Sequence, residues 1–159
     1  MPTEHDRTAP LLRRWRSLRV VVADDSMRPT LQPGDRLLVE RWRSGATTLR
    51  AGDVAVLADP ERSDRWLIKR VAAVGPARVF VVRSGVATRP GLGPVERPTD
   101  AIDGAEVPPG SAYVVSDGGP RGRDSRSFGP VPAERLVGVA WWRYAPRDRK
   151  GPIPPAPPG

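Results

Sequence analysis

Proline and glycine set the first limit on what this chain can fold into: 20 prolines and 16 glycines are scattered through 159 residues. Proline breaks a helix interior by removing a donor and clashing with the preceding turn, and glycine weakens it. Long helices are therefore excluded over most of the chain, and short strands joined by punctuated turns are expected. Seven segments have strand length and are rich in Val, Leu, Ile and aromatics: 19–23, 36–41, 53–57, 66–74, 77–83, 112–116 and 136–144. Pro33-Gly34-Asp35, Ala51-Gly52-Asp53 and Pro109-Gly110 supply turns between them. Residues 87–107 combine Pro and Gly without periodicity and read as a long loop or insertion. The expected fold class is all-β (mostly β), a folded-over or barrel-like sheet with short loops.

The length fits one domain with a real core. Its expected limits are 19–145, preceded by a basic, partly disordered segment at 1–18 and followed by a Pro-rich disordered tail at 146–159, which should not join a core. Leu11, Leu12, Trp15 and Leu18 fall on one helical face beside several arginines. That segment either packs against the domain, the reading favoured here, or touches a membrane surface. No window of 18 apolar residues exists, and Val20 to Ala23 is too short for the core of a secretory signal, so neither a transmembrane helix nor a signal peptide is expected.

Composition also removes whole classes of chemistry. Cysteine is absent, which excludes disulfides, thiol catalysis and thiolate metal sites. The one histidine, His5, lies in the polar N-terminus, so a Ser-His-Asp triad or zinc site is not expected, and no metal or cofactor is assigned. The net charge of +8 invites a nucleic-acid reading. The arginines are spread along the whole chain, however, with no zinc-finger spacing, aromatic RNA-binding motif or recognition helix, so no dedicated nucleic-acid partner is expected.

The basic residues carry a sharper signal, being 24 arginines and only two lysines, Lys69 and Lys150. Arginine cannot lose its proton in a protein, so it cannot serve as a base. A lysine kept amid such a bias is a candidate for a neutral role, and serine with a deprotonated lysine is a known nucleophile and base. Ser26 lies just after a short strand, where Pro29 restricts Arg28 to extended or turn geometry and Met27 is apolar enough to anchor the loop. Lys69 lies within 66–74, and alternation puts it on the face of Leu67 and Val71. An amine among apolar neighbours is costly to charge, which lowers its pKa from about 10.4. The strand pattern alone equally allows Lys69 to reach solvent from an edge strand.

Ser26-Met27-Arg28-Pro29-Thr30-Leu31 followed by Pro33-Gly34-Asp35, then Gly52-Asp53-Val54, Lys69-Arg70-Val71, Ser116-Asp117-Gly118 and 124–131, resembles the ordered boxes of type I signal peptidases. The resemblance runs from about Val20 to Tyr144. It implies the mostly β signal-peptidase fold and peptide-bond hydrolysis through an acyl-enzyme, with Ser26 as nucleophile, Lys69 as general base and the Ser26 backbone N–H in the oxyanion hole. Met27 and Pro29 would support the loop, and Asp124 and Arg126 would pair with each other or with nearby charges, a chiefly structural role. In many relatives a serine or glycine stands two residues before the nucleophile. Here that residue is Asp24, followed by Asp25. An ionised carboxylate aimed at the oxyanion would hinder it, so Asp24 is expected to point elsewhere. Gly118 replaces an asparagine of the last box, and Gly122 stands where relatives place a serine that helps orient the lysine.

Relatives usually carry N-terminal membrane anchors, and this chain is expected to lack one. Its short, Arg-rich form resembles the maturation proteases of nickel-type superoxide dismutase. That resemblance implies a precursor protein as partner, an N-terminal leader as the piece removed and a cytoplasmic location, with peripheral membrane contact through the basic segment as a further option. One alternative is cleavage of secretory preproteins at the membrane. Others are a self-cleaving repressor, disfavoured because 25 residues before Ser26 leave no room for a helix-turn-helix domain, and a catalytically silent binding module of the same fold.

Overall fold

The computed structural model describes residues 16–43, 48–82, 85–91, 97–119 and 122–156. In chain order the strands are β1 (Ser17–Val21), β2 (Arg36–Arg41), β3 (Val54–Ala58), β4 (Trp66–Val74), β5 (Ala77–Val82), β6 (Gly85–Pro90), β7 (Ala101–Val107) and β8 (Ser111–Val115). Among the described residues one short α-helix, α1 (Ser125–Phe128), precedes β9 (Val131–Pro132), β10 (Leu136–Ala145) and β11 (Gly151–Pro152). The chain is mostly β, as its Pro and Gly content requires, and all seven expected strands are present within two residues of their expected limits.

The main sheet runs β1-β2-β10-β3-β4-β8-β9, with β11 added to the far end of β10, and every pairing in it is antiparallel. β3 explains why this sheet must fold over. Its run Val54-Ala55-Val56-Leu57 is apolar at every position, so both faces demand cover. Val54 and Val56 join one core with Met27, Leu31, Leu37 and Val39, while Ala55 and Leu57 join a second core with Val71, Val114 and Leu136. β10 pairs with both β2 and β3 and has register shifts along its length, which let one long strand bend around the first core.

Two expectations are corrected. Residues 87–107 were expected to form a loop, but β6 and β7 flank β5 in a second, three-stranded sheet. Both are edge strands with half-exposed faces, where Pro90 and Gly104 are tolerated and no clean alternation is required. The Gly75 N–H donates to the Ser111 carbonyl at 2.8 Å at the neck where the chain leaves and re-enters the main sheet, and a third core of Ala73, Ala77, Val79, Val107 and Tyr113 packs the second sheet on β4 and β8.

The second correction concerns the C-terminal segment, expected as a free tail. Instead β11 pairs with Trp142 and Arg143, and Ile153 packs against the first core. Arg149 forms an ion pair with buried Asp35, which also receives Arg143 Nη1 at 3.2 Å. The basic segment at 1–18 and His5 lie outside the described residues up to position 15. Leu18 is in β1 and packs against the first core, in a strand where a helical face had been read.

Candidate active site

The loop after β1 and the middle of β4 meet at one place. Ser26 begins a turn that continues to Thr30, and the Met27 carbonyl accepts the Leu31 N–H at 2.8 Å. Met27 and Leu31 are both fully buried in the first core, so their apolar side chains fix the loop while Ser26 stays at its rim. Pro29 lies within the turn after a cis Arg28–Pro29 bond. On the other side the Ser26 carbonyl accepts the Gly118 N–H at 2.8 Å. A Cβ on Gly118 would approach the Asp25 and Ser26 carbonyl oxygens to 3.0 and 3.1 Å, so the asparagine that relatives place there would crowd this contact.

Lys69 comes from an interior strand, since β4 lies between β3 and β8. It is 2% exposed, and its Nζ lies 2.8 Å from Ser26 Oγ. The snorkelling alternative therefore fails: the strand is not an edge and the amine does not reach solvent. Burial pushes the Lys69 pKa below its ordinary value; the Asp24 and Asp124 charges oppose that shift, while Arg126 and Arg123 add to it. The neighbouring residue Arg70 points to the opposite face, where Nη2 meets Asp117 Oδ2 at 2.6 Å and Nε meets Oδ1 at 3.2 Å. Its Nη1 also donates to the Gly52 and Pro154 carbonyls at 2.8 and 3.1 Å. Arg70 thus ties β4 to the loop after β8 and to the C-terminal segment.

Asp124 and Arg126 lie at α1, behind Lys69. The Asp124 carboxylate is fully buried, caps the helix by accepting the Arg126 N–H at 3.0 Å, and accepts the Ser116 N–H at 2.9 Å. The Arg126 guanidinium meets both of its oxygens, at 2.9 and 2.5 Å. Although burial raises the Asp124 pKa, these hydrogen bonds outweigh it and hold the carboxyl below the usual range. The pair locks the loop from Ser116 to α1 against β8, where Ser125 Oγ also accepts the Val114 N–H at 2.9 Å.

Asp24 departs from expectation. It does not point away from the oxyanion donors: its Oδ1 accepts the Ser26 backbone N–H at 2.9 Å. A short Asx turn satisfies that donor locally, and an Asp two residues before Ser26 was its signal in the sequence. Despite the opposing effect of burial, the hydrogen bonds to Ser26 and the Lys69 charge keep the Asp24 carboxyl ionised at lower pH than usual. Ser26, Lys69 and Asp24 open onto a cleft of about 550 Å³ that Arg28, Arg65 and Arg123 also line. An adjoining groove of about 310 Å³ runs beside Val20 to Ala23, Trp66 and Ile68.

Residues 11–145 match the family described as Signal peptidase, peptidase S26. The chain belongs to the S26 signal peptidase family. It is 37% identical over 134 residues to the mitochondrial ATP-independent inner membrane protease subunit 1b of Arabidopsis thaliana, covering 83% of this chain and 72% of that protein. It is 32% identical over 143 residues to the probable signal peptidase I-1 of Synechocystis, covering 82% and 72% respectively. A more distant relative, 26% identical over 144 residues, is named an inactive signal peptidase IA in Staphylococcus aureus, covering 79% of this chain and 78% of that protein. Among solved structures, a signal peptidase I from Enterococcus faecalis superposes with a TM-score of 0.46 at 19% identity, over 58% of this chain and 97% of that one.

Because an S26 relative is named inactive, membership by itself does not carry activity; the disposition of Ser26 and Lys69 bears on that question. Among the described residues no helix is long and apolar enough to cross a membrane. Reading the S26 boxes by residue type left three residues with buried side chains around the site unassigned: Arg70, Asp117 and Ser116. The Arg70–Asp117 pair was quoted within the boxes without a role, although an Arg beside the lysine and an Asp two residues beyond β8 were its signal. Ser116 was likewise quoted without a role.

Proposed function

We propose that this S26-family chain is a serine endopeptidase that removes an N-terminal leader from a precursor protein, with Ser26 as nucleophile and Lys69 as general base. The observation that carries the reading is the 2.8 Å contact between Lys69 Nζ and Ser26 Oγ, made by a buried amine whose pKa is lowered. A neutral Lys69 takes the Ser26 proton as Oγ attacks the scissile carbonyl carbon. The oxyanion that forms is held by the Ser26 N–H once Asp24 Oδ1 leaves it. Lys69 then returns the proton to the leaving amine, which departs as the acyl-enzyme ester forms. Water, deprotonated by Lys69, attacks the ester, and Ser26 recovers its proton as the new carboxylate leaves. Met27, Pro29, Asp124 and Arg126 support this geometry without touching the reacting atoms.

The proposed substrate is the precursor of a nickel-type superoxide dismutase, cleaved in the cytoplasm. The support is the resemblance of this short, Arg-rich chain to such maturation proteases. Co-expression with that precursor, followed by mass spectrometry of its N-terminus, tests the assignment. Loss of the leader with the wild type and its retention with Ser26→Ala is the expected result. An intact leader in both, with a secretory preprotein processed by the wild type, would overturn the dismutase assignment.

A second reading, cleavage of preproteins at a membrane surface, is favoured by a specific observation. Val21 and Trp66, 58% and 54% exposed, sit on the groove that leads to Ser26. Flotation of the protein with anionic liposomes, lost in Trp66→Ser, would support that reading.

A further inference from the structure

Ser116 is a buried hydroxyl with no task in the mechanism above. It is 6% exposed, and among the described residues its Oγ has no hydrogen-bond partner. A buried hydroxyl that makes no hydrogen bond loses its water without replacement, so an idle one here is an anomaly. Its position gives it a use. In the β4–β8 pairing Arg70 faces Val115 and Val71 faces Val114. Continued by one residue, the same register sets Lys69 opposite Ser116. Direct cross-strand neighbours project to one face with their Cβ atoms about 5 Å apart.

Gly122 supplies the second, independent observation. A Cβ at position 122 would lie 2.2 Å from Ser116 Oγ and 3.4 Å from Ser26 Cβ. The Ser116 hydroxyl therefore fills the space that any side chain at 122 would need, on the side turned towards Ser26. Positions 116 and 122 compete for one small volume beside the dyad, and only one can carry a side chain into it. The Ser116 backbone N–H is pinned by Asp124 Oδ2 at 2.9 Å, so only the side chain is left to turn. A neutral Lys69 that accepts the Ser26 proton on its lone pair also has two N–H groups to satisfy. Ser26 Oγ is the partner of Nζ among the described residues.

We propose that Ser116 Oγ is the positioning group for Lys69: it turns about its Cα–Cβ bond to accept an Nζ–H and so aims the amine's lone pair at Ser26, a duty it performs from position 116 because Gly122 leaves the space open. The proposal rests on the Ser26/Lys69 reading above and names a further residue that the reaction requires. It also accounts for Gly122 as a requirement: any larger residue there collides with the group that holds the base.

The test is a swap of positions in the full chain. Ser116→Gly combined with Gly122→Ser moves the hydroxyl across the shared volume, whereas Ser116→Gly combined with Gly122→Ala fills the same volume without one. These two variants differ by a single oxygen and are equally packed, so thermal melts should coincide and a folding defect cannot mimic the result. On the dismutase precursor, the serine-bearing swap should keep kcat near wild type. The alanine-bearing swap and Ser116→Ala should lose about 10- to 100-fold in kcat with KM unchanged, as expected when a reacting group is misaimed.

A second readout does not need turnover. With two lysines in the chain, ¹³Cε-lysine labelling gives Lys69 one resonance and Lys150 another as an internal control. A hydroxyl that accepts from the amine favours its charged form, so the alanine-bearing variants should titrate at lower pH than wild type and the serine-bearing swap should not. Asp24, Asp124, Arg126 and Arg123 also act on Lys69, and none of them changes in the series. An unmoved Lys69 titration in Ser116→Ala, or equal kcat in the two swaps, overturns the positioning role. If no protein in the series, wild type included, cleaves the precursor while the titration still moves as stated, Ser116 holds Lys69 and it is the proteolytic reading that falls.

Discussion

Lys69 is where folding and function oppose each other. Its folded pKa is depressed by burial below the unfolded value of about 10.4. Between those two values the unfolded chain binds more protons than the folded one, so this group's contribution to stability improves as pH rises through the window. At pH values below that window the buried charged amine costs stability. Lys69→Met, which keeps the length and removes the charge, should therefore raise Tm in calorimetry while abolishing cleavage. Lys69→Arg should be as inactive as Lys69→Ala, each losing at least about 100-fold in rate, because the charge remains but the base is gone. Substantial cleavage by Lys69→Arg would sink the dyad.

Asp24 makes the complementary case. Its carboxylate occupies the Ser26 N–H and its charge raises the Lys69 pKa, so it works against both the oxyanion and the free base. Asp24→Ser should raise kcat by roughly tenfold, a part of the about 10²–10³ that one oxyanion donor contributes. The acid limb of the pH–rate profile should also move to lower pH, because Lys69 then deprotonates more readily. A profile that stays in place with an unchanged kcat would show that Asp24 leaves the donor at no cost.

At the level of elements, β4 divides its labour between faces. Lys69 serves the cleft while Arg70, one residue on, is clamped by Asp117 with both side chains almost wholly buried. Asp117→Ala leaves that guanidinium without its partner and should cost about 3–5 kcal/mol in urea unfolding, since an orphaned buried charge is far worse than no charge. The two-residue strands β9 and β11 are too short to show a pattern, whereas β1, β2, β3, β4, β8 and β10 of the main sheet were legible in the sequence because each packs at least one face on a core, and 66–74 showed its bounds to the residue. β6 and β7 were not, because Gly85-Val86-Ala87-Thr88-Arg89-Pro90 and Ala101-Ile102-Asp103-Gly104-Ala105-Glu106-Val107 are edge strands whose half-exposed faces impose no period. Ser26 and Lys69 were legible because lysine is rare here and the boxes are ordered. The volume shared by Ser116 and Gly122 was not, since it is a distance that residue types do not encode, and the Asp24 turn was masked by the expectation that a carboxylate would avoid the oxyanion, although an Asp two residues before Ser26 signals it.

Over the whole molecule, the segment after β10 binds the two sides of the site together. Its proline-rich composition suggested a free tail, yet the β11 pairing, Ile153, Arg149 and the Pro154 carbonyl dock it. A chain ending at Pro146 loses the Arg149–Asp35 pair, the packing of Ile153 and the Pro154 carbonyl that receives Arg70. Such a truncation should cost about 2–4 kcal/mol, since Asp35 keeps Arg143 and Arg70 keeps Asp117. For a domain of this size that is a fall in Tm of roughly 4–16 °C, readable by circular dichroism. An unchanged Tm would mean the docked segment is bound too weakly to matter.

The neck at Gly75 and Ser111 has a consequence of another kind. β5, β6 and β7 extend from the paired ends of β4 and β8, held there by the Gly75–Ser111 hydrogen bond, by Thr88 Oγ1 donating to the Ala72 carbonyl at 3.3 Å and by a core shared by Ala73, Ala77, Val79, Val107 and Tyr113. No described residue of these three strands lines the cleft at Ser26, so an affinity handle grafted on their outer edge, clear of that shared core, should leave the cleft as it is.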